Sequence, residues 1–562
     1  MLGLAGLPLF FMEMALGQFS SLGPISVWNV MPVFRGVGYG MVLLSLMCSI
    51  YYNMIIAYTL YYFFISIRAT LPWQKCEQSW IDNYGCRDRE ALNATQRNIT
   101  DLLCKTMTDN NETGSTKYAD MCARKTPSEV YWERVVLDMS DSIDDGVGDI
   151  KWHLALCLLL AWVVIFFSLI KGIKSSGKVV YVTATFPYVV LIILFIRNVT
   201  LEGAIEGIKF YAVPKWDQLF NIKAWHAAAT QIFYSLGVAF GGLETMASYN
   251  RFKNNVYRDV LIVSILNCST SVFAGFVIFS VMGFMSVRTG IPVEKVVSSG
   301  PGLAFIAYPE GIAMMPAPPV WSILFFLMLF TLGLDSQFTM METIISAVVD
   351  EFTWLRKPRR KMVFTLLLCI ALFFAGLPQC SRAGIFVMTL FDTYCAGFSL
   401  LVVSLLELIA IGWIYDYKRF STDIEMMIGF KPNYYWIIMW VVVTPLTILF
   451  ILGYSIFKYS PATYAGKEYP VWALNLGWGM VAIALVFIPI LAIFEYCKES
   501  NFYLTMKRIL SPNKEWGPAV EKFRTGLYAS PETFNEVSKN GGLVVINGYD
   551  IDNAAFVQEN SI

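Results

Sequence analysis

Runs of about 20 mostly apolar residues alternate with polar segments along nearly the whole chain. An α-helix needs about 20 such residues to cross the hydrocarbon core of a bilayer. The pattern therefore predicts an all-α polytopic membrane protein. About eleven spans are expected, at 2–22, 38–67, 153–171, 179–197, 225–251, 257–284, 319–349, 362–377, 384–416, 434–457 and 472–497.

Two polar segments divide these spans into groups. Residues 1–67 hold the first two spans, and a polar segment at 68–152 is too long to be a turn. Residues 153–497 hold the remaining nine spans, and a polar tail at 498–562 follows the last of them.

The composition narrows the class of function. Of the 562 residues, 56% are hydrophobic and 15% are charged, which is too little charge to cover a soluble domain. Lys+Arg and Asp+Glu balance at 42 each, so no basic excess suggests nucleic acid as a partner. The two histidines, His153 and His226, fall at span edges. With no Walker loop and no GxSxG nucleophile elbow in the sequence, we expect neither an enzyme nor an ATP-driven pump.

The basic loops predict the orientation of the spans. The densest are KGIKSSGK (171–178), RFKNNVYR (251–258) and RKPRRK (356–361), and they alternate correctly if all of them lie in the cytoplasm. Residue 1 then starts at the outer face and the C-terminus lies inside. The segment 68–152 falls outside, where it carries three glycosylation sequons, at Asn93, Asn98 and Asn111.

Four cysteines lie in this predicted outer segment: Cys76, Cys86, Cys104 and Cys122. An oxidising compartment permits disulfides there. We expect a bond between Cys76 and Cys86, and Cys104 and Cys122 remain open as alternative partners.

Polar side chains within the predicted spans mark candidate pathways, because such groups are costly in a bilayer. They are Glu13, Asn53, Gln231, Glu244, Asn267, Asp335, Asp392 and Glu407. The span 225–251 also holds Gly237, Gly241 and Gly242 near its middle. A broken helix whose free backbone groups line a cavity is one interpretation of these glycines. Close helix packing through small residues is the other, and the glycines taken alone favour it.

Two sets of polar residues have side chains that could bind ions. The tract TLGLDSQF (331–338) places Asp335 and Ser336 in mid-span, and a hard cation prefers such oxygen ligands. Asp335 could instead be a hydrogen-bonded structural acid. A second grouping pairs Gln231 with Ser235 and Asn267 with Ser271, each pair four residues apart on one helix face. These neutral donors suit a small anion, although interhelical hydrogen bonds explain each pair equally well.

Six tracts together resemble the neurotransmitter:sodium symporter family (solute carrier family six). They are GLPLFFMEMALGQF, IYYNMIIAYTLYY, KSSGKVVYVTATFPYVV, ASYNRFKNN, TLGLDSQF and EWGPAVEKFRTGLY, which run in the family's order from residue 1 to about 528. The tract 179–259 most resembles the glycine and neutral amino-acid branch. The resemblance implies a bundle built on inverted repeats, twelve spans in all, in which this chain's first span is similar to the family's second.

The resemblance also implies roles for individual residues. Sodium ligands would be Ser235, Asn267, Leu332 (through its carbonyl), Asp335 and Ser336. Chloride ligands would be Gln231, Ser235, Asn267 and Ser271. Substrate-pocket residues would be Tyr52, Tyr234, Phe240, Gln337 and Met340. Gate residues would be Asp392 on the outer side, and Tyr249 and Asp350 on the inner side. Glu13 is similar to the acid that supports the broken helix.

Three departures from the family pattern matter. The family's first span, which supplies further ligands to both sodium sites and to the pocket, would precede residue 1, so the resemblance implies incomplete cation sites. Phe240 stands where dedicated glycine carriers tend to have tryptophan, which widens the expected substrate to neutral amino acids. Glu244 stands where the family usually has an aliphatic residue, and the sequence offers no account of it.

The leading hypothesis is a sodium- and chloride-dependent symporter of a neutral amino acid such as glycine, working by alternating access in the plasma membrane. Its expected partners are a zwitterionic amino acid, Na+, Cl- and membrane lipid, and a homo-oligomer is left open. The alternative is a truncated product that does not transport, or a regulatory partner of full-length copies.

Overall fold

The computed structural model describes residues 1–86, 125–140, 142–170, 173–289, 292–296, 301–395, 397–459, 461–464, 467–498, 502–513, 516–525 and 528. The chain in these ranges is almost entirely helical, with one two-stranded antiparallel ribbon of β1 (Thr463–Tyr464) and β2 (Lys467–Glu468). Ten of the described helices are long and apolar enough to cross a membrane. The predicted all-α polytopic class is therefore confirmed.

The main helices follow one another along the chain. They are α1 (Leu2–Ser20), α2 (Pro32–Ser66), α3 (Gln78–Tyr84), α4 (Trp152–Leu169), α5 (Gly177–Val199), α6 (Ala204–Ala212), α7 (Ile222–Leu236), α8 (Gly242–Ser248), α9 (Val256–Thr289), α10 (Leu303–Ala313), α11 (Pro318–Glu351), α12 (Pro358–Cys380), α13 (Gly384–Ile414), α14 (Tyr417–Ile428), α15 (Tyr434–Phe457), α16 (Val471–Tyr496) and α17 (Phe502–Ile509). Single-turn helices lie at Ser26–Val30, Pro127–Val130, Tyr131–Val136, Ile143–Asp145, Trp216–Phe220, Val293–Val296, Thr353–Arg356 and Glu521–Phe523.

Local sequence explains several of these boundaries. Proline occupies the first turn of α11 and of α12, where its missing N–H group costs no intrahelical hydrogen bond. Helix α1 ends at Ser20, and the next residue, Ser21, has a φ of 55°, in the left-handed region. The predicted span 225–251 is divided between α7 and α8, so it is absent from the ten long helices.

Helices α2 and α11 pack against each other along much of their length. Gly333 of α11 lies so close to Ile56 of α2 that an added Cβ would come within 2.9 Å of its side chain. The hydroxyl groups of Ser66 and Ser322 are 2.7 Å apart, and both side chains are buried. The Gly333 contact lies within the tract 331–338 that holds the predicted cation ligands.

The disulfide predicted between Cys76 and Cys86 is present, with the two Cα atoms 5.9 Å apart. It lies beyond the last turn of α2, beside Trp73 and Trp80, which are buried. We refer to this part of the bundle as the disulfide end. The alternative partners Cys104 and Cys122 lie outside the described residues, as do the sequon residues Asn93, Asn98 and Asn111.

At the opposite end, part of the C-terminal tail packs on the helical bundle. The Trp516 and Tyr528 rings lie 5.7 Å and 5.4 Å from the ring of Phe19, near the last turn of α1. The Trp516 indole N–H donates to the Tyr415 hydroxyl at 2.9 Å. We call this the tail end of the bundle.

A buried carboxyl joins the tail to α14. Asp423 accepts hydrogen bonds from the hydroxyls of Tyr528 at 2.8 Å and Tyr415 at 2.7 Å. Burial raises the pKa of Asp423 to about 7, although these two hydrogen bonds and the charge of Arg419 lower it. The stability of the tail contact should therefore depend on pH near neutrality.

We expect the tail to dock less firmly as pH rises. Because the folded-state pKa of Asp423 lies above its unfolded value of about 3.9, the stabilisation is complete below that lower value and is lost as pH rises through about 7. Trypsin cleavage at the exposed Lys522 measures the loss. Relative to an Asp423→Asn control, which lacks the titrating group, the cleavage rate should increase between about pH 6 and about pH 8. A pH-independent ratio would contradict the assignment.

Candidate substrate and ion site

The break between α7 and α8 consists of five residues in mid-bundle. Gly237, Ala239 and Gly241 have φ values of 67°, 64° and 75°. These left-handed conformations cannot continue a right-handed helix. Glycine adopts them without steric cost, whereas Ala239 needs support from its surroundings. The glycines of this span therefore do break the helix.

Two neighbouring helices hold the backbone of the break. The Ala239 N–H donates to Oε1 of Glu13 in α1 at 2.7 Å, and the Ser45 hydroxyl in α2 donates to the Phe240 carbonyl at 2.7 Å. Glu13 and Ser45 are buried. Each bond satisfies a backbone group that the broken helix leaves without an intrahelical partner. The contact of Glu13 agrees with the supporting role that the resemblance implies.

The predicted cation tract lies in the middle of α11. The Thr183 hydroxyl in α5 donates to Oδ1 of Asp335, and the Tyr52 side chain lies near that of Ser336. Leu332 is 42% exposed. A carboxylate, a hydroxyl and a main-chain carbonyl on successive turns are the hard oxygen donors that Na+ accepts.

The predicted anion ligands are only partly brought together. The side-chain amide of Asn267 in α9 donates to the Ser235 hydroxyl in α7 at 2.8 Å. Ser271 instead donates to the carbonyl of Asn267 in its own helix at 3.1 Å, and Gln231 is exposed. Ser235 and Asn267 thus form the centre of this grouping. Their hydroxyl and amide groups offer oxygen atoms to a cation and O–H and N–H donors to a chloride ion.

The aromatic residues at the pocket include one that the sequence did not single out. The hydroxyls of Tyr51 and Tyr234 are 3.4 Å apart, and Tyr51 also lies near the Asp392 carboxyl. The rings of Tyr234 and Phe240 meet edge to face, with centroids 6.3 Å apart. Tyr51 therefore lies between Asp392, the predicted outer-gate residue, and Tyr234 of the predicted substrate pocket.

The two α11 residues expected against the substrate differ in their surroundings. Gln337 is buried, and its side-chain amide donates to the Ser49 carbonyl in α2 at 3.1 Å. Its carbonyl oxygen has no hydrogen-bond partner among the described residues. Met340 is half-buried, packed against the hydrophobic core. Gln337 therefore ties α11 to α2 and leaves one acceptor for a further donor.

The two predicted inner-gate residues lie toward the tail end and contact different groups. The Tyr249 hydroxyl is 2.7 Å from the Ser346 hydroxyl and donates to Glu342 at 3.2 Å. Asp350 accepts from the Gly23 N–H at 2.9 Å. Glu342, which the sequence did not single out, also pairs with Lys361 at 3.1 Å. These bonds join the ends of α1, α8, α11 and α12.

The geometry combines an unwound backbone, a carboxylate in mid-membrane and polar contacts toward both ends. Burial in a bilayer makes each of these features costly. Their convergence is typical of a path for a polar solute through the bundle rather than of a purely structural core.

Comparisons with known proteins agree with this interpretation. The sequence profile of the sodium:neurotransmitter symporter family matches residues 1–499. The chain is 47% identical to the sodium- and chloride-dependent glycine transporter 1 of Xenopus laevis, over 94% of this chain and 83% of that protein. It is 45% identical to glycine transporter 2 of the same species, over 94% of this chain and 68% of that protein.

A third relative has a broader name. The chain is 47% identical to the sodium- and chloride-dependent neutral and basic amino acid transporter B(0+) of Mus musculus, over 96% of this chain and 87% of that protein. A profile match over most of the chain and identities of this size are decisive about ancestry. The chain belongs to the sodium:neurotransmitter symporter family.

Proposed function

We propose that the protein moves a small neutral amino acid, such as glycine, across the plasma membrane together with Na+ and Cl-. The observation that carries the proposal is the break at 237–241, with Asp335 in the middle of α11 and the Ser235–Asn267 pair beside α7. The names of the relatives support sodium, chloride and a glycine or neutral amino-acid substrate.

In this proposal the ions bind beside the substrate. Asp335, Ser336 and the Leu332 carbonyl would bind one sodium ion, while Ser235 and Asn267 would contribute to a second. Ser235 and Asn267, with Gln231 and Ser271, would also hold chloride. Because Ser271 is turned to its own helix and Gln231 is exposed, these two would have to reorient on binding.

The substrate would lie against the break. Tyr52 would hydrogen-bond its carboxylate, Tyr234 and Phe240 would form the aromatic wall, and Gln337 and Met340 would face it from α11. Phe240 is smaller than a tryptophan, so the pocket would accept side chains beyond that of glycine.

Transport requires that the two ends open in turn. Asp392 with Tyr51 and Tyr234 would close the disulfide end, and Tyr249 and Asp350 would close the tail end. Coupling would follow if the ions and the substrate each bind the occluded state more tightly in the presence of the other, which is reciprocal by linkage.

The tail end would face the cytoplasm. Two of the basic loops contribute to it: Lys253 donates to the Met426 carbonyl at 2.7 Å, and Lys361 pairs with Glu342. A basic excess on one side of a membrane protein is typical of its cytoplasmic face. The C-terminus would then be cytoplasmic.

The test is uptake of labelled glycine and alanine into cells that express the chain, with surface biotinylation as a control. The resemblance implies ligands from a first span, so a second version carries a family first span before residue 1. We expect uptake of labelled amino acid by at least one of the two versions. This uptake should disappear when an organic cation replaces sodium or gluconate replaces chloride. A version that reaches the surface but moves neither amino acid would contradict the substrate, and ion-independent uptake would contradict the coupling.

A further inference from the structure

Three buried glutamates from three different helices lie near one another beside the break. They are Glu13 of α1, Glu244 of α8 and Glu407 of α13, and each is 0% exposed. Glu244 interacts electrostatically with Glu13, and Glu407 interacts with both. We call these residues the glutamate cluster. Of the three, only Glu13 has a role in the site described above.

The carboxyl oxygens of the cluster are almost all without partners. Oε1 of Glu13 accepts from the Ala239 N–H. The other five oxygens have no hydrogen-bond partner in the part of the chain that the structure describes. Within the same ranges, no Lys, Arg or His forms an ion pair with any of the three. A buried carboxyl in this condition must find something to bind or lose its charge.

A metal ion is not the missing partner of these carboxyl groups. The described acidic groups do not come together in an arrangement that could hold one. Helices α1 and α8 also pack closely beside the cluster. An added Cβ on Gly17 of α1 would lie 2.3 Å from the backbone oxygen of Glu244 in α8.

The remaining ligand is the proton. Three buried negative charges for which the described residues supply no counter-charge repel one another strongly, and a proton on a carboxyl removes a charge and supplies a hydrogen-bond donor. We propose that the glutamate cluster is a proton-binding site, in which Glu13 stays ionised as the acceptor for Ala239 while Glu244 and Glu407 each carry a proton. Protons enter from water and return to it, and one negative charge remains on the cluster.

Two members of the glutamate cluster lie at the break between α7 and α8. Glu244 lies in the first turn of α8, three residues after Gly241, and Glu13 holds Ala239 within the break. Loss of the proton from Glu244 would place a second charge against Glu13 and disfavour the observed arrangement. The charged and titratable groups that act on Glu244 are Glu13 from α1 and Glu407 from α13. The inference does not depend on which solute the protein transports.

Infrared spectroscopy tests the proposal on the purified full chain, because a protonated carboxylic acid and a carboxylate absorb separately. At about pH 8, where an ordinary glutamate with a pKa of about 4.3 is ionised, we expect a protonated-acid band. Glu244→Gln and Glu407→Gln should each lose a component of it. The exposed Glu206→Gln, in α6, is the matched control and should leave the band unchanged.

The pH dependence of the melting temperature provides a second test. It can be measured on the wild-type chain, so it does not depend on the folding of every variant. A site that takes up protons on folding makes the folded state less stable as pH rises, so the melting temperature of the wild-type chain should fall toward alkaline pH. Glu244→Gln should reduce that dependence, and Glu244→Leu, which restores an aliphatic residue, should do the same. Absence of the acid band, or a band and a pH dependence unaffected by both Glu244→Gln and Glu407→Gln, would overturn the proposal.

Discussion

Replacing Asp335 with asparagine is expected to abolish sodium-dependent uptake while leaving the protein folded at the cell surface. The substitution keeps the size of the side chain but removes the carboxylate charge that faces the proposed sodium site. Removing one partner of a buried charge pair costs about 3–5 kcal/mol, and about 3 kcal/mol lowers affinity roughly 100-fold. The measurement is initial uptake rate as a function of sodium concentration.

Asp217→Asn is the matched control for this experiment, because Asp217 is exposed in the single-turn helix Trp216–Phe220. It should leave the sodium dependence unchanged. A Thr183→Val variant, which removes the donor to Asp335, should have a smaller effect in the same direction. If Asp335→Asn kept the wild-type sodium half-saturation, Asp335 would be a structural acid and the proposed sodium site would be wrong.

Replacing Gly17 with alanine is expected to destabilise the whole bundle. The added Cβ would lie 2.3 Å from the backbone oxygen of Glu244 and 2.8 Å from its Cα. Backbone atoms cannot move aside as a flexible side chain can, so α1 and α8 must separate. Overpacking of this kind typically costs about 1–3 kcal/mol, and we expect the upper part of that range. The thermal midpoint of the purified protein measures the loss.

Gly479→Ala is the matched control, since Gly479 lies within α16 and an added Cβ there meets nothing within 4 Å. Alanine favours a helix by about 1 kcal/mol over glycine, so this variant should melt at the same temperature as the wild type or above it. Equal midpoints for Gly17→Ala and the wild type would show that α1 and α8 are not in the close contact described above.

The hydrophobic pattern of the sequence predicts most of the architecture. The apolar runs locate the spans because length and polarity are local properties of the chain, and the glycines at 237 and 241 mark the break because their backbone conformations are open to few other residues. The Cys76–Cys86 bond was expected from the sequence, which also left Cys104 and Cys122 open as partners.

Partners across helices could not be predicted in the same way. IYYN offers two adjacent tyrosines, and only the packing of α2 shows that Tyr51 reaches Tyr234 while Tyr52 reaches Ser336. Tyr249 pairs with Glu342 and Ser346 of α11, which are distant in sequence. The environment of Glu244 depends on residues 231 positions before it and 163 after it. No local pattern contains such contacts, because tertiary packing determines them.

Accumulation of glycine against its own gradient tests the central claim most directly. Purified protein, in the version that shows uptake, would be reconstituted into liposomes with labelled glycine at equal concentrations on both sides, and an inward sodium gradient would then be imposed in the presence of chloride. We predict that internal glycine rises above the external concentration and returns to it when a sodium ionophore collapses the gradient. Equilibration without accumulation, or accumulation that persists after the gradient is removed, would contradict an ion-coupled symporter.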